Sequence, residues 1–403
     1  DLIKNKKKMK NLQKLSYKNF HHKHKTIVNK IDNYRDILTE KKIHYSKLIK
    51  GRGSLKILHV TNFNERHNGR LFFNTGRRLN NGFIRLGHSV LEFSDRDIVK
   101  HYKSVRDYNG SKSLNEKFVK VVENFKPNLI VLGHADLIKN ETLSTLKENY
   151  PNIKIAQWFL DRMDGVWEKN KFRFLDKINF MDANFITTSP NVLNFLPKNK
   201  KFYFIPNPSD ESFETLNNYR NDSCIYDVFF ALSHGVHRGI LKRGKHDERE
   251  KFINQLIELT PNVKFDTYGI NQVQPIWADL YFKSIANAKM GINLSRGNPI
   301  KYYSSDRITQ LVGNGLLTFI HEKTYYNNFF SEDEIIFYNN VSNLSEKIQK
   351  FAKDDYLRKK IAKKGKMKYM KFFNSTIVAD YIINNTFEYS YKKNTYLWEN
   401  IKN

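Results

Sequence analysis

A single cysteine, Cys224, excludes an intrachain disulfide framework and any zinc site built from several thiolates, and it suits a reducing compartment. Long apolar runs are also missing. None approaches the roughly 18 residues of a spanning helix, and the lysine-rich opening residues lead into no apolar stretch of the signal-peptide kind. The expectation is a cytoplasmic protein, either free or held peripherally on the inner membrane. Acidic residues are scarce: 41 against 69 Lys and Arg leave a net charge of +28. That balance calls for an anionic partner, whether nucleic acid, a membrane surface, or a phosphorylated or carboxylated substrate. Part of the excess is compositional, because Lys, Asn, Ile, Phe and Tyr are abundant together.

What is present describes a folded chain. Apolar residues make up 40%, with 30 Phe and 22 Tyr, and 403 residues exceed what one core usually holds, so two domains are expected. Residues 1–50 carry 15 Lys and Arg against Asp1, Asp32, Asp36 and Glu40. Leu12, Leu15, Ile27, Ile31, Tyr34, Ile37 and Leu38 fall mostly at spacings of three, four or seven, an amphipathic helical pattern that ends at Gly51-Arg52-Gly53-Ser54. Such a basic segment serves as a membrane-surface helix, a subunit contact or a solvated leader.

From Leu55 onward short apolar runs alternate with helical stretches. The runs begin at Lys56, Ser89, Asn128, Ile153, Ala183 and Phe202, then, after Pro206-Asn207-Pro208, at Tyr226, Val263, Met290, Leu316 and Ile335. Strands 25 to 40 residues apart with helices between them predict right-handed βαβ units and two parallel sheets. The expected organisation is a basic helical extension over 1–54, a Rossmann-like domain over 55–206, and a second Rossmann-like domain over 207–370. A helical segment over 371–403 would then return to the first domain.

Ligands of parallel sheets bind at the carboxyl ends of strands. The loop Thr61 to Arg70 lacks the G-x-G-x-x-G spacing of a dinucleotide site, which argues against nicotinamide or flavin chemistry and leaves a cover for a sugar or acceptor, or an ordinary connection. His134 and Asp161 follow the third and fourth strands and are candidates for a general base or for hydrogen bonds to a sugar. Trp158 reads as core or as an apolar face for a sugar ring. Asp95-Arg96-Asp97 has the spacing of a cation-holding carboxylate pair, but the intervening Arg opposes a cation, so a helix cap or inter-loop ion pair is expected and no metal.

In the second half, Ser233-His234-Gly235-Val236-His237-Arg238-Gly239, then Lys242, gathers glycines and cations where backbone N–H groups are free to bind a diphosphate, or forms a basic surface turn. Tyr268-Gly269 closes the next strand. Then comes Lys301-Tyr-Tyr-Ser304-Ser305-Asp306-Arg307-Ile-Thr-Gln310-Leu-Val-Gly313-Asn314-Gly315, polar residues opening a short helix that a glycine pair ends before a buried strand. This stretch resembles the donor-site helix of two-Rossmann (GT-B) glycosyltransferases, in particular the family-1-like branch related to the spore protein CgeB. The resemblance covers about residues 55 to 375.

It implies two Rossmann-like domains facing a cleft, with a nucleotide sugar held mostly on the second. His234, Gly235, Arg238 and Lys242 would meet the diphosphate, with Tyr268, Ser304, Ser305 and Arg307 near the sugar or phosphates. Where the family usually carries a carboxylate for the ribose, this sequence has Gln310. The expected reaction is metal-independent glycosyl transfer, without a cofactor, to a cell-surface glycan or lipid-linked acceptor. The rivals are a basic nucleic-acid-binding protein and a noncatalytic GT-B scaffold. Against the first, many aromatics sit inside apolar strands and no nucleic-acid motif occurs, so no nucleic-acid partner is expected.

Overall fold

The computed structural model describes residues 10–20, 53–233 and 246–402. The chain separates into two compact units, Asp1–Gly53 and Ser54–Asn403. In the first, residues 10–20 form helix α1, with Leu12 and Leu15 exposed. The amphipathic positions Ile27 to Leu38 lie outside the described residues, as do His234, Gly235, Arg238 and Lys242.

The second unit holds two parallel sheets. The first joins β1 (Lys56–Thr61), β2 (Ser89–Phe93), β3 (Leu129–Gly133), β4 (Lys154–Phe159), β5 (Ala183–Ile186) and β6 (Phe202–Phe204) in the order β2-β1-β3-β4-β5-β6. The second joins β7 (Tyr226–Ala231), β8 (Phe265–Tyr268), β9 (Ala288–Asn293), β10 (Leu317–His321) and β11 (Ile336–Tyr338) in the order β11-β10-β9-β7-β8. The eleven apolar runs read from the sequence are these strands, displaced by at most two residues at their starts.

Central strands are apolar on both faces because helices cover both. β3 is buried throughout, with Ile130 and Leu132 in one core and Leu129 and Val131 equally sealed. It ends on Gly133, where an added Cβ would lie 2.0 Å from the Trp158 ring. Each fully buried Leu, Ile or Phe contributes roughly 1.5 to 3 kcal/mol of transfer free energy, so Val228, Phe230, Ile292 and Phe319 make the second core a major stabilising element.

In each sheet the strand order reverses beside the first strand, between β1 and β3 and again between β7 and β9. The helices that follow neighbouring strands there leave to opposite sides, and a crevice opens above their carboxyl ends.

Several contacts tie the halves together. Helix α2 (Thr75–Arg85), capped by the Asn74 side chain, carries Arg78, whose guanidinium makes a two-pronged bond to Glu214 of the linker at 2.6 and 3.2 Å. Both side chains are fully buried, and Asp306 of the second domain stands 3.5 Å from the same Arg. The linker itself is buried: Asn207 donates to the Ser304 carbonyl and accepts from Thr309 and Tyr369. Helix α12 (Ser375–Thr386) packs on α2, β4 and β5.

Candidate active site

A cavity of about 750 Å³ lies where the carboxyl ends of the two sheets meet, lined from both halves. Its second-domain wall is set by α9 (Arg307–Gly313), about two apolar-faced turns whose Ile308, Leu311 and Val312 are buried against the sheet. Packing that face points the polar first turn at the reversal between β7 and β9.

There Arg307 is anchored by neutral groups only. Its Nε donates to the Ala231 carbonyl at 3.0 Å, and its Nη1 to the Leu294 carbonyl and Ser305 Oγ, both at 3.1 Å. Nη2 has no hydrogen-bond partner, and the guanidinium no carboxylate within 4.0 Å, among the described residues. Burial first, then the nearby Arg249 cation, pushes its pKa down to about 10. A partly buried cation in want of an anion thus sits at a strand-order reversal.

The neighbouring arginines are neutralised. Asp247 caps α7 (Glu248–Leu259) and pairs with both Arg249 and Arg296; burial opposes its ionisation, but these two partners hold its carboxyl far below the usual range. In the first domain Arg96 and Arg173 share one Asp136 oxygen at 2.7 and 3.0 Å, and Arg162 holds Asp164. Arg162 also reaches across to the Arg296 carbonyl at 2.7 Å. Arg70, over the Trp277 ring at 5.2 Å, has no carboxylate partner among the described residues.

His134 and Asp161 meet at the cavity. His134 adopts φ 52°, which turns its ring onto Phe159, centroids 4.1 Å apart. Its Nε2 accepts the Leu160 N–H at 3.0 Å, so the neutral ring carries its proton on Nδ1, which faces the Asp161 carboxylate at 3.7 Å. Burial lowers the imidazole pKa and favours this neutral form. The lone pair of His134 is therefore spoken for, whereas the Asp161 side chain is half-exposed.

Of the residues singled out from the sequence, His134, Asp161, Ser305, Arg307 and Gln310 line the cavity. Ser304 and Tyr268 do not. Ser304 is buried behind the wall, accepting from Asn293 at 2.7 Å, and Tyr268 accepts from Ser284 beneath α8 (Ala278–Ala286). Gln310 is held within the protein, its carbonyl oxygen accepting the Tyr281 hydroxyl and its amide donating to Asp306 at 3.3 Å. Trp158 forms the cavity floor, nearly all buried, its indole N–H donating to His59.

The Asp95–Asp97 pair is committed to protein. Asp97 accepts the Glu65 and Arg66 N–H groups and the Arg66 guanidinium, which ties the β1–α2 loop to α3 (Asp95–Tyr102). Burial pushes the Asp95 carboxyl up to about 7. Among the described residues no group of three or more His, Cys, Asp or Glu is arranged to hold a metal ion, and no helix is long and apolar enough to cross a membrane. Sequence reading alone does not single out Asp306, Tyr281 or Arg70. Of these, Asp306 had a visible signal, an acid immediately before a candidate cation at a helix start.

A family model described as glycosyl transferase-like matches residues 246–384. No curated protein sequence matches the chain. Among solved structures, the sucrose-phosphate synthase of Thermosynechococcus elongatus superposes with a TM-score of 0.57 at 12% identity, over 83% of this chain and all of its own. Anabaena HepE in complex with UDP and glucose gives 0.52 at 12% identity, also over 83% of this chain and 100% of its own. Residues 246–384 thus match a glycosyl transferase-like family model, within a chain whose two parallel sheets take the GT-B fold.

Proposed function

We propose that this protein is a metal-independent glycosyltransferase that takes a sugar from a nucleoside-diphosphate donor in the cleft and transfers it to a hydroxyl of a cell-surface glycan or lipid-linked acceptor. The observation that carries this reading is Arg307, a partly buried guanidinium that lines the cavity without a carboxylate partner among the described residues, at the strand-order reversal of the second sheet. Transfer breaks the bond between the sugar C1 and the diphosphate oxygen, and negative charge develops on that oxygen. A fixed cation in a water-poor cleft stabilises that charge more than it stabilises the intact donor, which is what lowers the barrier.

The glycine- and lysine-rich segment with His234, Gly235, Arg238 and Lys242 is assigned to the same diphosphate from its sequence alone. The neighbour crystallised with UDP and glucose supports the donor class. The pattern from Arg307 to Gly315 favours the branch related to CgeB. On the first domain Asp161 is the group open to take the acceptor proton, since His134 has its lone pair on Leu160 N–H. His134 acts on Asp161, its Nδ1–H dipole favouring the carboxylate.

Thermal denaturation across UDP-, GDP-, ADP- and CMP-sugars, followed by product analysis, tests the proposal. One nucleotide class should raise the melting temperature and turn over. Absence of stabilisation and turnover across the whole panel would leave a noncatalytic scaffold instead.

A further inference from the structure

We propose that the first domain docks on an anionic lipid bilayer through two loops at the carboxyl edge of its sheet, residues 102–108 and 165–172, so that a lipid-linked acceptor reaches the cleft from the membrane. This deepens the transferase reading and rests on it for the identity of the acceptor.

The loops carry the most exposed apolar side chains of the domain: Val105 is fully exposed, Val166 is 91% exposed, Tyr108 87% and Phe172 68%. Isolated exposed apolar residues are ordinary, but Val105, Tyr108 and Val166 stand at loop tips and Phe172 on the helix Glu168–Leu175, among cations that outnumber the one exposed acid of the two loops, Glu168. Lys100, Lys103, Arg106 and Lys112 are all exposed around Val105 and Tyr108, and Lys169 and Lys171 flank Phe172. The acid within the first loop is turned inward, Asp107 accepting the Lys112 and Ser113 N–H groups. Apolar tips ringed by basic side chains match the boundary between hydrocarbon and anionic headgroups, each cation near such a surface strengthening binding by about fivefold.

Both loops lie on the cleft side of the sheet. Helix α4 (Ser111–Phe125) begins directly after the first loop, and its Asn115 bonds the Leu137 carbonyl and the Lys139 N–H, just past the carboxyl end of β3. The second loop follows β4. Its Trp167 and Asn170 line the cavity while Val166 and Phe172 face solvent, so the loop forms the cleft's own rim. Nucleic acid fits less well, because bases stack on rings and two of the four tips are valines without a π face.

The test is cosedimentation of the full chain with phosphatidylcholine vesicles, with and without phosphatidylglycerol, without donor present. Binding should require phosphatidylglycerol and fall at least about tenfold in Val105→Glu/Tyr108→Glu and again in Val166→Glu/Phe172→Glu, with unchanged melting temperature. Lys103→Glu/Arg106→Glu, which leaves the apolar tips intact, should weaken binding in a salt-dependent way. Three results overturn the proposal: no vesicle binding by the parent protein, vesicle binding that the loop variants leave intact, or tighter binding to a single-stranded oligonucleotide lost in the same variants. Donor binding, measured separately in vesicle-free solution, reports on the transferase reading and is unaffected by these outcomes.

Discussion

The two walls of the cleft handle charge differently. On the first domain Arg96, Arg162 and Arg173 each rest on a carboxylate, and Asp161 remains half-exposed among them. On the second domain Asp247 absorbs Arg249 and Arg296, and Arg307 is left with two carbonyls and a hydroxyl. Ion-paired arginines offer a balanced polar surface suited to hydroxyl groups, whereas a buried, uncompensated cation gains most from a bound anion. Under the proposed function this difference divides labour before any ligand is present: one wall for the acceptor, the other for the diphosphate. Arg70 is the exception on the first wall. It projects toward Trp277 of the second domain.

If that division holds, the largest effect belongs to Arg307→Ala. Removing one preorganised donor at a developing oxyanion costs about 10² to 10³ in rate, and here ground-state binding of the donor falls as well. Turnover of the nucleotide sugar should drop about a thousandfold, with acceptor affinity nearly unchanged; equal losses on both sides would break the comparison. Because the Arg307 pKa is depressed to about 10, the cation is present below that pH, and donor affinity should decline as pH rises through about 10. Arg307→Lys, keeping charge but losing the fork that reaches two carbonyls, should fall between.

Next in size is the clamp between the walls. Arg78→Met strands the fully buried Glu214 carboxylate, and breaking such a pair from one side costs about 3 kcal/mol or somewhat more. Urea denaturation should show that loss, and Arg78→Met/Glu214→Leu should recover most of it. A single-mutant loss under about 1 kcal/mol would mean that water reaches the pair.

Much of this arrangement was legible in the sequence because it depends on local patterns. Apolar runs such as Asn128 to Leu132 cannot be surface elements, and their spacing demands helices between them. Arg307 and Gln310 were visible through a short motif. Partner choice was not visible. That Asp247 neutralises Arg249 and Arg296, across 49 positions in the second case, while Arg307 goes without, depends on tertiary packing that no window of sequence contains. Tyr268 and Ser304 show the same limit in reverse: both close strands or open helices as a site residue would, yet their hydroxyls turn to Ser284 and Asn293.

On the first wall, Asp161→Asn tests the proton acceptor. It keeps shape and removes basicity, so turnover should fall about a hundredfold while donor and acceptor affinities stay within about threefold. His134→Asn, an αL-tolerant replacement at φ 52°, should cost less, about tenfold in turnover, with donor and acceptor affinities nearly unchanged. Unchanged turnover would reduce His134 to a structural residue.

The smallest expected effect separates the Asp306 carboxylate from the Gln310 amide on the second wall. Gln310 spends its carbonyl on Tyr281 and its amide on Asp306, and Asp306 itself lines the cavity, about one-third exposed. Under the proposed function the carboxylate placed to meet donor hydroxyls on this wall is Asp306, with the Gln310 amide holding it in place. Gln310→Glu would replace a donated hydrogen bond by a like charge at about the same 3.3 Å separation. The new acid should titrate high, stability should fall by about 1 kcal/mol as pH rises from the ordinary glutamate range to that raised pKa, and donor affinity should not improve. A gain in affinity of more than about threefold would show instead that position 310 contacts the donor directly and that Asp306 serves only the clamp with Thr75 and Arg78.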